Sequence, residues 1–203
     1  MVLLLSFMVA SCAPATQVPQ TDVVSVYATP AAQPWLTELY TCAGNSSVTL
    51  NLTAEDPEIT LRVGEPAVMV SPVFQIDEEE ILIVTNRESP VQNLTLAQAQ
   101  ELFAQGSDSA QVWVYASDAD VQIVFDQLVM QGRPVTTFAG LATDPQQMSD
   151  LLNAEKSAVG ILPKHWMAGT VRVVFSAGTL PVLAVAKEEP QGVVKDLISC
   201  LQK

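Results

Sequence analysis

The side chains of this chain that could carry out catalysis or hold a metal ion are few and widely spaced. His165 is the only histidine among 203 residues, so the chain alone cannot form a His-based metal site. A Ser-His-Asp triad would have to use His165, yet the sequence has no Gly-x-Ser-x-Gly nucleophile elbow. It has no Cys-x-x-Cys pair and no Gly-x-x-x-x-Gly-Lys loop. The sequence therefore predicts a protein that is not an enzyme and holds no cofactor or metal.

The charge balance of the chain excludes two classes of partner. Lys and Arg number 9 against 22 Asp and Glu, which gives a net charge of −13. A nucleic acid needs clustered basic residues, and so does an anionic membrane surface bound by charge alone. The acidic run Asp77–Glu80 lacks the alternating ligand spacing of an EF-hand loop. We interpret this run as a solvated connection between two parts of the fold.

The N-terminus has the pattern of a secretory signal. Residues 2–10 form an uncharged apolar run that is far too short to span a bilayer. The run ends in Val9-Ala10-Ser11-Cys12, which resembles the bacterial lipobox, although no basic residue precedes it. The resemblance implies that residues 1–11 are a signal peptide and that lipidated Cys12 anchors an extracytoplasmic protein to the bacterial cell membrane. The alternative is a buried N-terminal element with an incidental cysteine.

The segment after Cys12 predicts a tether, and the two other cysteines then form a natural pair. Residues 12–21 are uncharged and contain two prolines, which favours an extended, solvated chain. In an oxidising compartment a disulfide between Cys42 and Cys200 can persist. Such a bridge would join the first predicted helix to the last. The alternative is two buried free thiols.

Strands and helices alternate through the rest of the chain, which predicts an α/β fold with mainly parallel pairing. Thr95 and Gln98 form a capping-box pattern, and Asp144-Pro145 is typical of a helix start. Predicted strands cover residues 23–27, 48–52, 59–63, 67–70, 80–85, 111–115, 158–162, 171–175 and 182–186. Predicted helices cover residues 33–43, 95–105, 118–131 and 191–202, and a further helix begins at 144.

The order of these elements resembles a known family. Residues 81–95 form an apolar strand that leads into Asn-x-x-x-Pro-Val-x-x-Leu-Thr. This segment resembles one in the phosphate-binding-protein-like (type 2 periplasmic-binding-protein-like) substrate-binding proteins of ABC importers. Residues 157–163 are similar to that family's Ala-Ile-Gly-Tyr strand, and residues 181–190 to its return strand. The resemblance covers roughly residues 22–203.

The resemblance implies two lobes with a small ligand in the cleft between them. Lobe one would comprise residues 22–79 plus 168–203, and lobe two residues 80–167. Lobe one is reduced, because the segment between Leu52 and Glu80 is too short for a helix that the family has there. The implied function is solute binding for an ABC-type importer, with its permease as a partner.

Three loops contribute to the ligand site in that family, through backbone N–H groups and hydroxyls at helix N-termini. By resemblance, Thr29 belongs to the first loop, where Pro30 removes one donor. Thr29 is equally consistent with a plain helix cap. Arg62 lies in the second loop, where its side chain either pairs with an anion or balances Glu58.

The third loop replaces the family's Ser-Gly-Thr by Ser117-Asp118-Ala119-Asp120. Ser117 keeps its hydroxyl, but the carboxylates of Asp118 and Asp120 enter the first turn of the helix. Carboxylates there stabilise a helix by about 0.3–1 kcal/mol, and they occupy the positive end that a phosphate needs. The candidate ligand residues are Thr29, Arg62, Ser117 and Asp118, and they favour a cationic, neutral or peptide-like ligand over tight phosphate binding.

Two functions from different classes remain open at this point. The first is a tethered solute-binding protein that closes on a small ligand. The second is an interaction or scaffold lipoprotein that keeps the fold with a degenerate ligand site. The reduced lobe one and the altered loop at Ser117 favour the second function. The order of elements and the segment 81–106 favour the first, which is the leading hypothesis.

Overall fold

The structure, a computed structural model, describes residues 22–66, 68 and 70–202. The predicted signal peptide, Cys12 and the tether lie outside these residues.

Within the described part, eight strands form one mixed sheet with helices packed against it, as the α/β prediction requires. The strands are β1 (Val23–Ala28), β2 (Thr49–Leu52), β3 (Ile59–Val63), β4 (Val73–Asn86), β5 (Gln111–Val114), β6 (Gly140–Leu141), β7 (Ala158–Pro163) and β8 (Val171–Ala186). The helices are α1 (Leu36–Asn45), α2 (Leu96–Gln105), α3 (Asp120–Phe125), α4 (Pro145–Ala154) and α5 (Gly192–Leu201). None of these helices has both the length and the apolar character needed to cross a membrane.

The strand order is β2-β1-β3-β8-β4-β7-β5-β6. Strands β1, β2 and β3 pair in parallel, as do β5, β6 and β7, whereas β4 and β8 make antiparallel pairs. Glu80 of β4 pairs with Thr179 of β8 in the middle of both strands. We call the part of the sheet from β2 to this point the first half and the part beyond it, as far as β6, the second half.

The two long strands β4 and β8 run through both halves. They pair with each other from Val73/Val185 to Asn86/Val171, with three shifts of register on the way. The prediction of two separate strands at 171–175 and 182–186 is wrong, because β8 continues through Gly178 and Pro181. Glycine and proline are tolerated in a strand beside such irregularities. Gly178 adopts φ 137°, a conformation that few other residues reach.

The acidic run Asp77–Glu80 is part of β4 where that strand passes between the halves, and the prediction that the whole run is solvated is wrong. Because side chains alternate between the faces of a strand, neighbouring carboxylates meet different surroundings. Glu78 is exposed, whereas Glu79 is only 1% exposed. The Oδ2 atom of Asp77 accepts a hydrogen bond of 2.8 Å from the indole N–H of Trp35.

The chain near the first helix also differs from the prediction. Residues Pro30–Trp35 form a 3-10 turn that precedes α1, where a single helix over 33–43 was expected. Pro34 lacks an N–H donor, which favours the tighter turn over an α-helix at this point. The predicted strand at 67–70 is wrong, since Val68 and Val70 lie outside any strand. Ala67 and Met69 lie outside the described residues.

The two predicted caps are confirmed. Thr95 accepts a hydrogen bond from the Gln98 N–H, and the Gln98 side chain bonds back to the Thr95 N–H. Asp144 accepts a bond of 2.8 Å from the Gln147 N–H at the start of α4. The helix expected over 118–131 begins at Asp120 and continues beyond α3 as a π-helical turn over Asp126–Met130.

A disulfide joins Cys42 of α1 to Cys200 of α5, with the Cα atoms 5.9 Å apart. The structure thus has the bridge, and not the alternative of two free thiols. Both helices pack against each other, α1 beside β2 and α5 beside β4. The bridge closes a loop with a sequence separation of 158.

We predict that replacing both cysteines by alanine lowers the free energy of unfolding by about 2–5 kcal/mol, because the unfolded chain is no longer restricted by a long loop. Urea unfolding of the wild type, the reduced wild type and the double variant measures the effect. A reductant should not change the double variant, which serves as the control. An equal midpoint for oxidised and reduced wild type would contradict the prediction.

Candidate functional site

The strands of the two halves point their carboxyl ends toward each other. Strand β4 runs from the first half into the second, and β1 and β3 run in the same direction. Strands β5 and β7 run in the opposite direction. The loops that follow β1, β3 and β5 therefore meet at the boundary between the halves. In α/β sheets, ligands commonly bind beyond the carboxyl ends of the strands.

The carboxylate of Asp120 joins these three loops. Asp120 begins α3, after β5, and is 5% exposed. Its Oδ2 atom accepts a hydrogen bond of 2.6 Å from the Thr29 hydroxyl and one of 3.1 Å from the Val63 N–H. Its Oδ1 atom accepts a bond of 2.9 Å from the Val121 N–H. One side chain of the second half thus holds donors from two segments of the first.

These bonds are of the strong, charge-assisted kind, each worth about 1.5–3 kcal/mol. If the carboxylate were removed, the N–H of Val63 would be left buried without an acceptor, at a cost of about 1–3 kcal/mol. Asp120 is therefore a major link between the two halves at their strand ends.

A close backbone contact reinforces this link. Gly64 follows β3 with φ 74°, and a Cβ atom built on it would lie 2.8 Å from Cγ2 of Val124. A side chain at this position would be strained by its backbone conformation as well as by the contact. Glycine at residue 64 lets the end of β3 approach α3 closely enough for the Val63 N–H to reach Asp120.

The space directly beside Asp120 is very small. A cavity of about 20 Å³ lies beside Asp120. A cavity needs at least about 10–15 Å³ to hold one water molecule, so this one has room for a single water and none for a phosphate or an amino acid. Its lining residues are Pro30, Ala31, Tyr115, Ala119, Asp120, Val121, Thr143, Asp144 and Pro145.

The surroundings of this cavity are acidic. The pKa of Tyr115 is raised well above its ordinary value, chiefly by burial and further by the charges of Asp144 and Asp120. The Tyr115 hydroxyl donates a bond of 2.8 Å to the carbonyl of Ile161, which keeps it neutral and fixed. An anion entering here would meet two carboxylates, whereas a cation would be attracted by both.

A second set of contacts also links the two halves. The Nδ1 atom of His165 lies 2.9 Å from Oε2 of the buried Glu79, and its ring packs against Trp35 with centroids 4.6 Å apart. Trp166 donates a bond of 3.2 Å from its indole to the carbonyl of Ala31. His165 lies in a 3-10 turn after β7, with 47% of its side chain exposed.

Two adjacent carboxyls at this contact have opposite pKa shifts. Burial raises the pKa of Glu79 above its usual range, and the His165 charge offsets this only in part. The hydrogen bonds from Lys164 and Ser176 lower the pKa of Glu80. The same strand thus carries one carboxyl that favours its proton in the folded state and one that releases it more readily.

The structure brings together only some of the residues predicted for the ligand site. Thr29 is the N-cap residue of the 3-10 turn, but its hydroxyl makes no capping bond and donates to Asp120 instead. Arg62 is half-buried, and its Nε donates a bond of 3.0 Å to the carbonyl of Gly64. Ser117 and Asp118 are exposed, and Asp120 takes the buried position instead of Asp118.

Several residues at the boundary were missed by the sequence reasoning. These are Glu79, Tyr115, Asp144 and the Val63 backbone N–H. An acidic residue two positions from a buried strand gives no signal of burial in itself. Residues 81–84 form a continuous apolar run and do not alternate, so the sequence does not indicate which of the acidic residues before them is buried.

The comparisons with known proteins concern the fold. No protein-family model matches the sequence, and no curated protein matches it. A phosphate-bound protein from Clostridium perfringens, assigned as a phosphate ABC transporter substrate-binding protein, superposes with a TM-score of 0.78 at 17% identity, over 89% of this chain and 93% of that one. An ABC-type phosphate transport receptor from Vibrio cholerae matches with a TM-score of 0.68 at 14% identity, over 89% and 93%.

The chain has the type 2 periplasmic-binding-protein-like fold. A sulfate-bound mutant OxyR2 regulatory domain from Vibrio vulnificus also matches, with a TM-score of 0.69 at 9% identity over 93% of this chain and 97% of that one. At such identities the likeness shows the fold alone, and proteins of different function share it. The site itself has to carry the functional argument.

We predict opposite effects of pH for glutamine at two neighbouring positions. The raised pKa of Glu79 contributes stability below the unfolded value of 4.5, and this contribution is lost as pH rises through the folded pKa. The difference in unfolding free energy between wild type and Glu79→Gln should therefore fall with rising pH over that window.

Glu80→Gln provides the matched control for this prediction. The lowered pKa of Glu80 contributes stability above its unfolded value of 4.5, and this is lost as pH falls through the folded pKa. The difference between wild type and Glu80→Gln should rise with pH. Urea unfolding over a pH series measures both, and a wild-type curve parallel to that of Glu79→Gln would contradict the burial argument.

Proposed function

We propose that this chain is a lipid-anchored extracytoplasmic solute-binding protein that binds a small ligand in the cleft between two lobes. The lobes are residues 22–79 plus 168–203 and residues 80–167. The anchor is Cys12, after removal of residues 1–11, and residues 12–21 are the tether. The protein would present its solute to the permease of an ABC-type importer.

One observation carries this proposal. Donors from loops of both halves converge on a single point at the boundary, where Thr29, Val63 and Val121 all donate to Asp120. A site assembled from two halves of a sheet can open and close by movement of one half against the other. The likeness in fold to two phosphate transport receptors supports this assignment.

The charges at the boundary indicate the class of ligand. Asp120 and Asp144 line the cavity together with the hydroxyl-bearing Tyr115 and Thr143. This lining offers hydrogen-bond acceptors and negative charge, and it suits a small solute with an amine or another cationic group, or a neutral solute rich in donors. An inorganic anion is disfavoured.

The test is a thermal-shift screen of the full chain against cationic amines, amino acids, short peptides, neutral solutes and inorganic phosphate. A solute at about 100 times its Kd stabilises the folded state by about 2.7 kcal/mol, which raises the Tm measurably. We expect a response in the cationic or neutral class and none to phosphate. A response to phosphate alone would contradict the proposed ligand class.

A matched pair of variants locates the binding of a cationic hit. Asp144→Asn keeps the helix cap, because asparagine is as good a cap as aspartate, but removes the charge. Loss of one charge at about 4 Å should weaken binding at least about tenfold. Asp150→Asn changes an exposed carboxylate of the same helix and should leave the affinity unchanged. Equal affinities for both variants would place the solute elsewhere.

An interaction or scaffold lipoprotein is the second candidate. It is favoured by the small cavity of about 20 Å³ and by an exposed apolar pair near the edge strand β6. Phe138 is 84% exposed and Leu141 is 66% exposed. Apolar groups at a sheet edge are typical of surfaces that bind other proteins. A screen without any response would favour this candidate.

A further inference from the structure

We infer that the Asp120 carboxylate is an internal occupant of the cleft, a tethered anion that takes the place of a free anion among three neutral donors and holds the two halves together without any solute. The inference rests on the proposed function in taking this cleft as the ligand site. It goes further by stating why free anions are rejected and what closes the protein when no solute is bound.

The first argument is the way in which the charge of Asp120 is held. Among the described residues, the cationic side chains that form ion pairs contact Glu79, Glu80, Glu88 or Asp56, and none contacts Asp120. The buried carboxylate is satisfied by a hydroxyl and two backbone N–H groups only. Neutral donors that converge on a buried negative charge are the arrangement by which proteins bind free oxyanions.

The second argument is the geometry of both oxygens. Oδ2 accepts two hydrogen bonds and Oδ1 accepts one, so both oxygens of the carboxylate face donors. An amide at residue 120 could place its oxygen on one side only, and its NH2 group would then face a donor on the other side. The position thus fits a carboxylate or another oxyanion and not a neutral isostere.

The third argument is space. The cavity beside Asp120 has room for one water, so a free anion cannot enter while the side chain remains in place. Even with space, two unit negative charges about 4 Å apart repel each other enough to weaken binding at least about tenfold. Rejection of anions follows from occupancy and charge together.

The test is chemical rescue of Asp120→Ala by formate, which supplies the carboxylate that the substitution removes. The Tm of the full-length variant should fall, and formate should restore roughly half of the loss or more in a saturable manner. Sodium chloride at equal ionic strength controls for salt. Asp118→Ala removes an exposed carboxylate from the same loop and should show neither the loss nor the rescue.

A second variant decides the matter if Asp120→Ala does not fold. Asp120→Asn should have a lower Tm than the wild type, because its NH2 group faces a donor, and formate should not raise it, because the amide still fills the position. An Asp120→Asn variant as stable as the wild type would overturn the inference. So would a folded Asp120→Ala variant that does not respond to formate.

Small-angle scattering tests the role in closure. The wild type without solute should have the radius of gyration of the structure described above, in which Asp120 joins the halves. Asp120→Ala should have a larger radius of gyration, which decreases when formate is added. A wild type that is already open would overturn the inference.

The rescue experiment and the solute screen test different hypotheses, because the rescue uses formate on a variant. A successful rescue with no response in the solute screen would contradict the proposed function only. A solute response in the wild type without rescue would remove the inference only.

Discussion

The antiparallel pairing of β4 with β8 is the interaction on which the rest of this structure depends. The two strands pair from Val73 to Asn86 and hold every other strand of the sheet in position. Because β4 runs from one half into the other, the direction of all strands is set relative to it, and their carboxyl ends face each other. The site at the boundary exists only because these two strands pass through it.

The same pairing explains why the boundary contains so many polar groups. The loops that meet there bring backbone donors with them, and a buried donor requires an acceptor. Asp120 meets this need for the Val63 N–H, and the contact of Glu79 with His165 is a second polar link between the halves. The cost of burying two carboxylates is offset by the bonds that they accept, so the halves are joined by polar contacts that water or a solute can replace.

Much of the fold could be predicted from the sequence, because it rests on local signals. Short stretches of sequence are enough to predict the alternation of strands and helices, the capping box at Thr95 and the cap at Asp144. The structure has all three features. The continuity of β8 through Gly178 and Pro181 was not predictable, since a strand with such residues persists only when a partner such as β4 supports it. Residue type alone predicts a break there.

The candidate site was predictable in kind but not in detail. The sequence placed a carboxylate of the third loop in the first turn of the helix, and Asp120 lies there with its side chain buried. Which of the two carboxylates turns inward depends on where α3 begins, and the helix begins at Asp120 and not at Asp118. A shift of two residues in a helix start exchanges an exposed side chain for a buried one, and no local pattern fixes helix ends that closely.

The disulfide between Cys42 and Cys200 has a consequence for how the chain can come apart. The covalent loop that it closes contains all of β2 to β8, so the whole second half lies between the two bridged cysteines. A protease that cuts one loop within this segment cannot separate the two fragments while the disulfide is intact. A single proteolytic cut would therefore leave a nicked protein that remains one covalent molecule.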